Sequence, residues 1–163
     1  MPSLGSRLVA ELVERGLSVA TAESLTGGLV CADLVSVPGA SAVVRGGVVA
    51  YAADVKTGIL GVDPALVDER GTIDQQVAAE MAVGVRRTLG ADVGLATTGN
   101  AGPDASEEQP VGRVWIAVAT PEGVSTERLD LAGDRAGVRT GTVAAVLSHA
   151  LARLTEEAET SRR

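Results

Sequence analysis

The architecture turns on the segment Leu17-Ser18-Val19-Ala20-Thr21-Ala22-Glu23-Ser24-Leu25-Thr26-Gly27-Gly28. Leu17, Val19 and Thr21 alternate with Ser18, Ala20 and Ala22, the two-residue period of a strand, and the second set is small enough for a helix to approach closely. Two glycines then open a mostly apolar run that reaches Val37 before Pro38-Gly39, so the order reads strand, glycine-containing turn, helix. Ahead of it, Leu4, Leu8 and Leu12 recur at helical spacing beside Val9 and Val13, and Gly16 is placed to cap that helix. Behind it, residues 43–51 are rich in β-branched side chains around Gly46-Gly47 and read as a second strand, the glycines marking a bulge or a close backbone approach.

The same punctuation organises the rest. Lys56 lies on a turn or short helix running to Leu60, and Pro64 suits the first turn of another short helix. Asp74 is a good N-cap for a longer helix carrying Val77, Met81, Val85 and Leu89 on one face before Gly90. Residues 93–98 read as a strand, and 99–112 (GNAGPDASEEQPVG) as one long irregular loop. Two further strands, 113–119 and 124–131, are close enough for a hairpin through Thr120-Pro121-Glu122-Gly123. Val143, Leu147, Leu151 and Leu154 share one face of a closing helix, and residues 156–163 are expected to fray. Early alternation of helices and strands followed by a hairpin predicts one α/β domain over residues 1–163, a three-layer α/β/α sandwich with a mixed β-sheet.

Composition excludes several classes. A chain of 163 residues can bury a core without disulfides or structural metal, and with one Trp, one Tyr and no Phe that core must be aliphatic. Cys31 has no partner for an internal disulfide, and one Cys with one His cannot build a four-ligand zinc site, so neither metal nor cofactor is expected and a reducing cytoplasm fits. The net charge of -7, with no basic cluster and no interleaved aromatics, argues against nucleic acid as a partner. Glu11 and Glu14 interrupt the first helix, so it lacks the apolar core of a signal peptide, and no window is apolar enough to span a membrane.

Ser24 falls where strand hands over to helix. A serine there is most often an N-cap; alternatively it is a nucleophile, with the helix-opening N–H groups near Thr26 and Gly27 placed for a developing oxyanion. His149, the only histidine, sits near Leu147 and Leu151 in the closing helix and reads as a surface or part-buried residue rather than a base. That leaves Lys56, the only lysine, five positions after the only tyrosine, Tyr51. A lysine whose pKa is lowered by burial or neighbouring cations can take a serine proton, and Tyr51 is placed to relay or donate one.

Thr21-Ala22-Glu23-Ser24, Thr26-Gly27-Gly28, Val37-Pro38-Gly39-Ala40-Ser41, Gly46-Gly47-Val48-Val49-Ala50-Tyr51 and Lys56 closely resemble the CinA carboxy-terminal domain family. So do Thr98-Gly99, Ala101-Gly102-Pro103, Pro110-Val111-Gly112, Val114-Trp115-Ile116-Ala117-Val118-Ala119, and Gly133-Asp134-Arg135 with Arg139, in the same order over residues 4–155. The resemblance implies an amidohydrolase that deamidates nicotinamide mononucleotide to nicotinate mononucleotide and ammonia, with Ser24 as nucleophile, Lys56 as base and Tyr51 assisting. It further implies substrate contacts at Thr26, Gly27, Thr98 and Gly99, a small-molecule nucleotide as partner, and a stand-alone, cytoplasmic protein that forms a homodimer or higher homo-oligomer. Arg135 and Arg139 are the cations expected at the substrate phosphate, although they read equally well as a solvated pair at a helix start. The chain departs from the family pattern at Leu25, Asn100, Asp104-Ala105 and Gln109. The last of these changes make the long loop more negative, which weakens phosphate binding if the loop faces one. The alternative is a catalytically silent member that binds a nucleotide or a protein partner.

Overall fold

The computed structural model describes residues 1–163. Helix α1 spans Leu4–Arg15, strand β1 Val19–Glu23, α2 Leu29–Val35, β2 Val44–Val49, α3 Ala53–Leu60, α4 Pro64–Arg70 and α5 Gln75–Leu89. Strands β3 (Val93–Gly99), β4 (Arg113–Thr120) and β5 (Gly123–Asp130) precede the closing helix α6, Arg135–Ser161. The five strands form one sheet in the order β2-β1-β3-β4-β5. β1 runs parallel to both β2 and β3, whereas β4 is antiparallel to β3 and to β5, so the sheet is mixed as expected.

Two aliphatic cores sandwich the sheet. On one face Leu8 and Leu12 of α1, Val30 and Leu34 of α2, and Val146, Leu147 and Leu154 of α6 pack against Val19, Leu95, Ile116 and Val118. On the other, Leu60 of α3 and Val77, Met81 and Val85 of α5 pack against Ala20, Ala22, Ala96, Ala117 and Ala119, with Leu66 and Val67 of α4 beside them. The alanine face exists so that α5 can lie close: a Cβ on Gly94 would run into the Ala82 carbonyl oxygen, and one on Gly84 into that of Leu60. This is the close helix approach that the small side chains of the first strand anticipate.

Several boundaries differ from the sequence reading: β2 ends at Val49, so Tyr51 lies beyond the strand, and two others have a visible cause. β1 starts at Val19 rather than Leu17, because the Ser18 amide and hydroxyl both donate to the Asp92 carboxylate (2.8 and 2.9 Å) instead of continuing a ladder. The tail expected to fray is helical to Ser161. Its anchor is Glu157, which accepts from Thr120 Oγ1 (2.6 Å) and pairs with Arg153 (2.9 Å), while Thr160 and Ser161 donate back to carbonyls one turn earlier.

The parallel arrangement of β2, β1 and β3 carries three connections off the same edge of the sheet: residues 24–28, 50–52 and 100–112. Ligand sites of open α/β sheets lie at such carboxyl edges.

Candidate active site

Ser24 is the first residue beyond β1, and its own amide still donates to Thr97 of β3 (3.0 Å). Lys56, one turn into α3, turns inward and is only 1% exposed. Its Nζ lies 3.0 Å from Ser24 Oγ, 2.7 Å from the Ala50 carbonyl oxygen and 3.0 Å from that of Tyr51. As an ammonium it donates to all three. As a neutral amine it keeps two N–H bonds to the carbonyls and turns its lone pair to the Ser24 hydroxyl. Burial lowers its pKa to about 8, against a smaller upward pull from the Glu107 carboxylate.

The turn bearing Ser24 is braced from both sides. Glu23, 1% exposed, accepts from the Val30 and Cys31 amides (2.8 and 3.0 Å) and from Thr21 Oγ1 (3.2 Å), and so caps α2 from seven residues away. Arg139 of α6 donates to the Leu25 and Thr26 carbonyls (2.8 and 3.4 Å), and the Thr26 hydroxyl meets that of Thr97 (2.8 Å).

A cavity of about 390 Å3 opens over Ser24, within the range of small-molecule sites. Tyr51, Thr98, Gly99 and Arg135 line it, together with Leu25, Thr72 and the loop residues Asn100–Glu107. A larger groove of about 580 Å3 between α5 and β5 offers no nucleophile paired with a base, so chemistry rather than size marks the site.

Several expected roles meet a different geometry. The helix opens at Leu29, not at Thr26 or Gly27; the Gly27 amide donates to the Ser24 carbonyl (3.0 Å), the Leu29 amide to the Thr26 carbonyl (3.0 Å), and the next two α2 amides to Glu23. The Leu25 and Thr26 amides are the ones beside Ser24 that donate to no protein acceptor. Arg139 is committed to backbone carbonyls and lies outside the cavity lining, as do Thr26 and Gly27; Arg135 alone of the arginine pair reaches it. Arg135 donates to the Gly102 carbonyl (2.6 Å) and to the Tyr51 hydroxyl (3.3 Å). Tyr51 therefore gives Lys56 its main-chain carbonyl, while its ring, 64% exposed, stands at the rim beside Arg135. His149 bonds Ser125 Oγ (2.8 Å) and Glu127 (3.1 Å) on β5, tying α6 to the edge strand outside the cavity.

Three side chains escaped the sequence reading. Glu23, read as the start of the turn, is the last residue of β1 and its side chain caps α2. Asn100 is the hub of the long loop: its Nδ2 donates to the Asp104 and Gln109 carbonyls (3.0 and 3.2 Å) and its Oδ1 accepts from Gly102 (2.9 Å). Glu107 straps that loop to the segment before α5, accepting from the Thr72 amide and hydroxyl (2.8 and 2.9 Å) and from the Ile73 amide (3.3 Å). The side-chain oxygen of Gln109, by contrast, faces Arg113 (3.5 Å) and not the cavity.

Residues 2–154 match the sequence profile of the CinA C-terminal domain. A CinA-like protein of Frankia casuarinae is 48% identical over 145 residues, covering 89% of this chain and 34% of that protein; the chain thus spans about a third of the length of the curated relatives it matches. Among solved structures, the competence/damage inducible protein CihA of Agrobacterium tumefaciens superposes with a TM-score of 0.88 at 36% identity, covering 93% of each chain. A CinA superfamily protein of Klebsiella pneumoniae gives 0.91 at 29% identity, covering 94% and 96%. With nearly all of its length matched in sequence and in fold, the chain belongs to the CinA C-terminal domain family.

Proposed function

We propose that this domain hydrolyses the carboxamide of nicotinamide mononucleotide, or of a closely related small amide, through Ser24 and Lys56. The observation that carries the reading is the buried Lys56 Nζ, held 3.0 Å from the Ser24 hydroxyl at the floor of a cavity, with a lowered pKa. Neutral Lys56 takes the Ser24 proton as Oγ bonds to the carboxamide carbon. The tetrahedral intermediate then collapses as Lys56 passes that proton to the departing nitrogen, which leaves as ammonia. Water attacks the acyl-serine, gives one proton to Lys56, and Ser24 recovers it as the carboxylic acid departs. The Leu25 amide, on the residue after the nucleophile and beside the cavity, is the donor best placed for the oxyanion. Arg135 remains the cation for a substrate phosphate and the Tyr51 ring a surface for its base or sugar. A reducing cytoplasm and a homodimer or higher homo-oligomer complete the reading, the former supported by a lone cysteine.

Ammonia release from nicotinamide mononucleotide is the test. The wild type should turn over, Ser24→Ala should lose at least about a thousandfold in kcat, and Lys56→Arg at least about a hundredfold, because a guanidinium stays protonated. Wild-type rates in either variant would refute that residue's role. No ammonia from the wild type would favour the silent binding member that the altered loop suggests.

A further inference from the structure

The cavity wall carries two carboxylates, Asp104 and Glu107, against one cation, Arg135, and the two acidic groups are differently built. Both lie on exposed loop residues, and the Asp104 carboxylate accepts no hydrogen bond. Glu107 is fixed: three donors from Thr72 and Ile73 hold its carboxylate, and its backbone sits in the left-handed region at φ 53°, followed by Glu108 at 60°. Neither residue is a glycine, so the loop accepts an unfavourable backbone at the point where Glu107 turns to its anchors. A carboxylate fixed in position brings a negative potential to the cavity wall that it lines. It is close enough to Lys56 to oppose the lowering of that lysine's pKa. Any amide whose carbonyl reaches Ser24 must therefore place its ring within the same field.

We propose, resting on the amidase reading above, that Glu107 is a specificity-determining residue which selects amides borne on a positively charged ring over the same amides on a neutral ring. A ring-quaternised pyridine carboxamide, such as the nicotinamide moiety of a nucleotide, carries its positive charge on the ring that holds the scissile carboxamide. The fixed carboxylate stabilises that charge while Arg135 remains for an anionic group elsewhere on the ligand. Free nicotinamide, neutral at the ring, gains nothing from Glu107.

Two small amides isolate the charge: nicotinamide, and nicotinamide methylated on the ring nitrogen. Both lack ribose and phosphate. Because the cationic amide is intrinsically more electrophilic, the readout is the ratio of kcat/KM for the two in the wild type divided by the same ratio in Glu107→Gln. The glutamine is nearly isosteric: its carbonyl oxygen can take the bonds from the Thr72 and Ile73 amides while its NH2 donates to the Thr72 hydroxyl. The expected result is a fall of the cation preference by roughly tenfold in Glu107→Gln. Thr72→Ala, which loosens the same strap without changing charge, should leave the preference in place. An unchanged ratio in Glu107→Gln, or an equal fall in Thr72→Ala, would overturn the proposal. If no amide, the mononucleotide included, releases ammonia, the amidase reading fails. Calorimetric titration of the two small amides into wild type and Glu107→Gln then decides the selectivity: tighter binding of the cation that Glu107→Gln abolishes supports it, and equal or undetectable binding of the two defeats it.

Discussion

Lys56 concentrates the physical tension of this molecule. A lysine at 1% exposure with carbonyl partners and no carboxylate in contact pays for its charged form, and burial brings its pKa down to about 8. The active base is the neutral amine, so kcat/KM for amide hydrolysis should rise with pH and level off above about 8, as a pH–rate profile would reveal. In Glu107→Gln the rise should move to lower pH, since the group that pulls the pKa upward is gone. Stability carries the same signature. Because the folded pKa lies below the unfolded value, the unfolded chain binds more protons between about 8 and 10.5, and the free energy of unfolding rises with pH through that window. The relief is of order 3 kcal/mol, measurable as the difference between wild type and Lys56→Met in urea unfolding at pH 7.5 and 10.5. A flat difference would mean that Lys56 is neutral throughout or well hydrated. That Lys56 and Ser24 form a pair is legible in the sequence because each is chemically singled out, one as the only lysine and the other at a strand-to-helix turn. The Tyr51 hydroxyl was not legible, because a side chain's direction depends on what stands opposite it, here Arg135.

At the scale of elements, β1, the turn at Ser24 and α2 act as one unit, joined by Glu23. Helix α2 has Gly28 as its N-cap and no side-chain cap from the usual position; Glu23 supplies the acceptor instead. Glu23→Ala should leave the Val30 and Cys31 amides unpaired and cost about 2 to 4 kcal/mol in urea unfolding, while Glu23→Gln should cost roughly half as much. Activity should fall through kcat more than KM, because the turn holding Ser24 loosens. A cost below about 0.5 kcal/mol for Glu23→Ala would mean that water replaces the carboxylate. Where capping follows local rules, the sequence was sufficient: Asp74 accepts from the Gln76 and Val77 amides, and Gly16 and Gly90 adopt left-handed φ values of 64° and 62°. Glu23 breaks those rules by capping across a turn, and of the two amides expected at the oxyanion that of Gly27 is occupied by the Ser24 carbonyl while that of Thr26 is free.

For the whole molecule, the hairpin turn and the last turns of α6 lock together through Thr120, Arg153 and Glu157. Removing residues 156–163 should lower stability by about 1 to 2 kcal/mol through loss of a charge-assisted hydrogen bond and an ion pair, and leave amide hydrolysis unchanged because the tail contributes nothing to the cavity over Ser24. Differential scanning calorimetry and ammonia release check both halves, and a loss of activity would show that α6 positions Arg139 from its far end. The alternation of elements, the aliphatic core, the mixed sheet and the candidate pair Ser24 and Lys56 are legible in the sequence. Periodicity, glycine punctuation and residue scarcity are local properties, and they survive without knowledge of neighbours. Which arginine reaches the cavity, which amides remain free, where Glu107 points and whether residues 156–161 hold a helix are settled by long-range contacts. Each of those depends on a partner supplied by a distant part of the chain, as Leu25 is for Arg139, Thr72 for Glu107 and Thr120 for Glu157, and no local pattern encodes such a meeting.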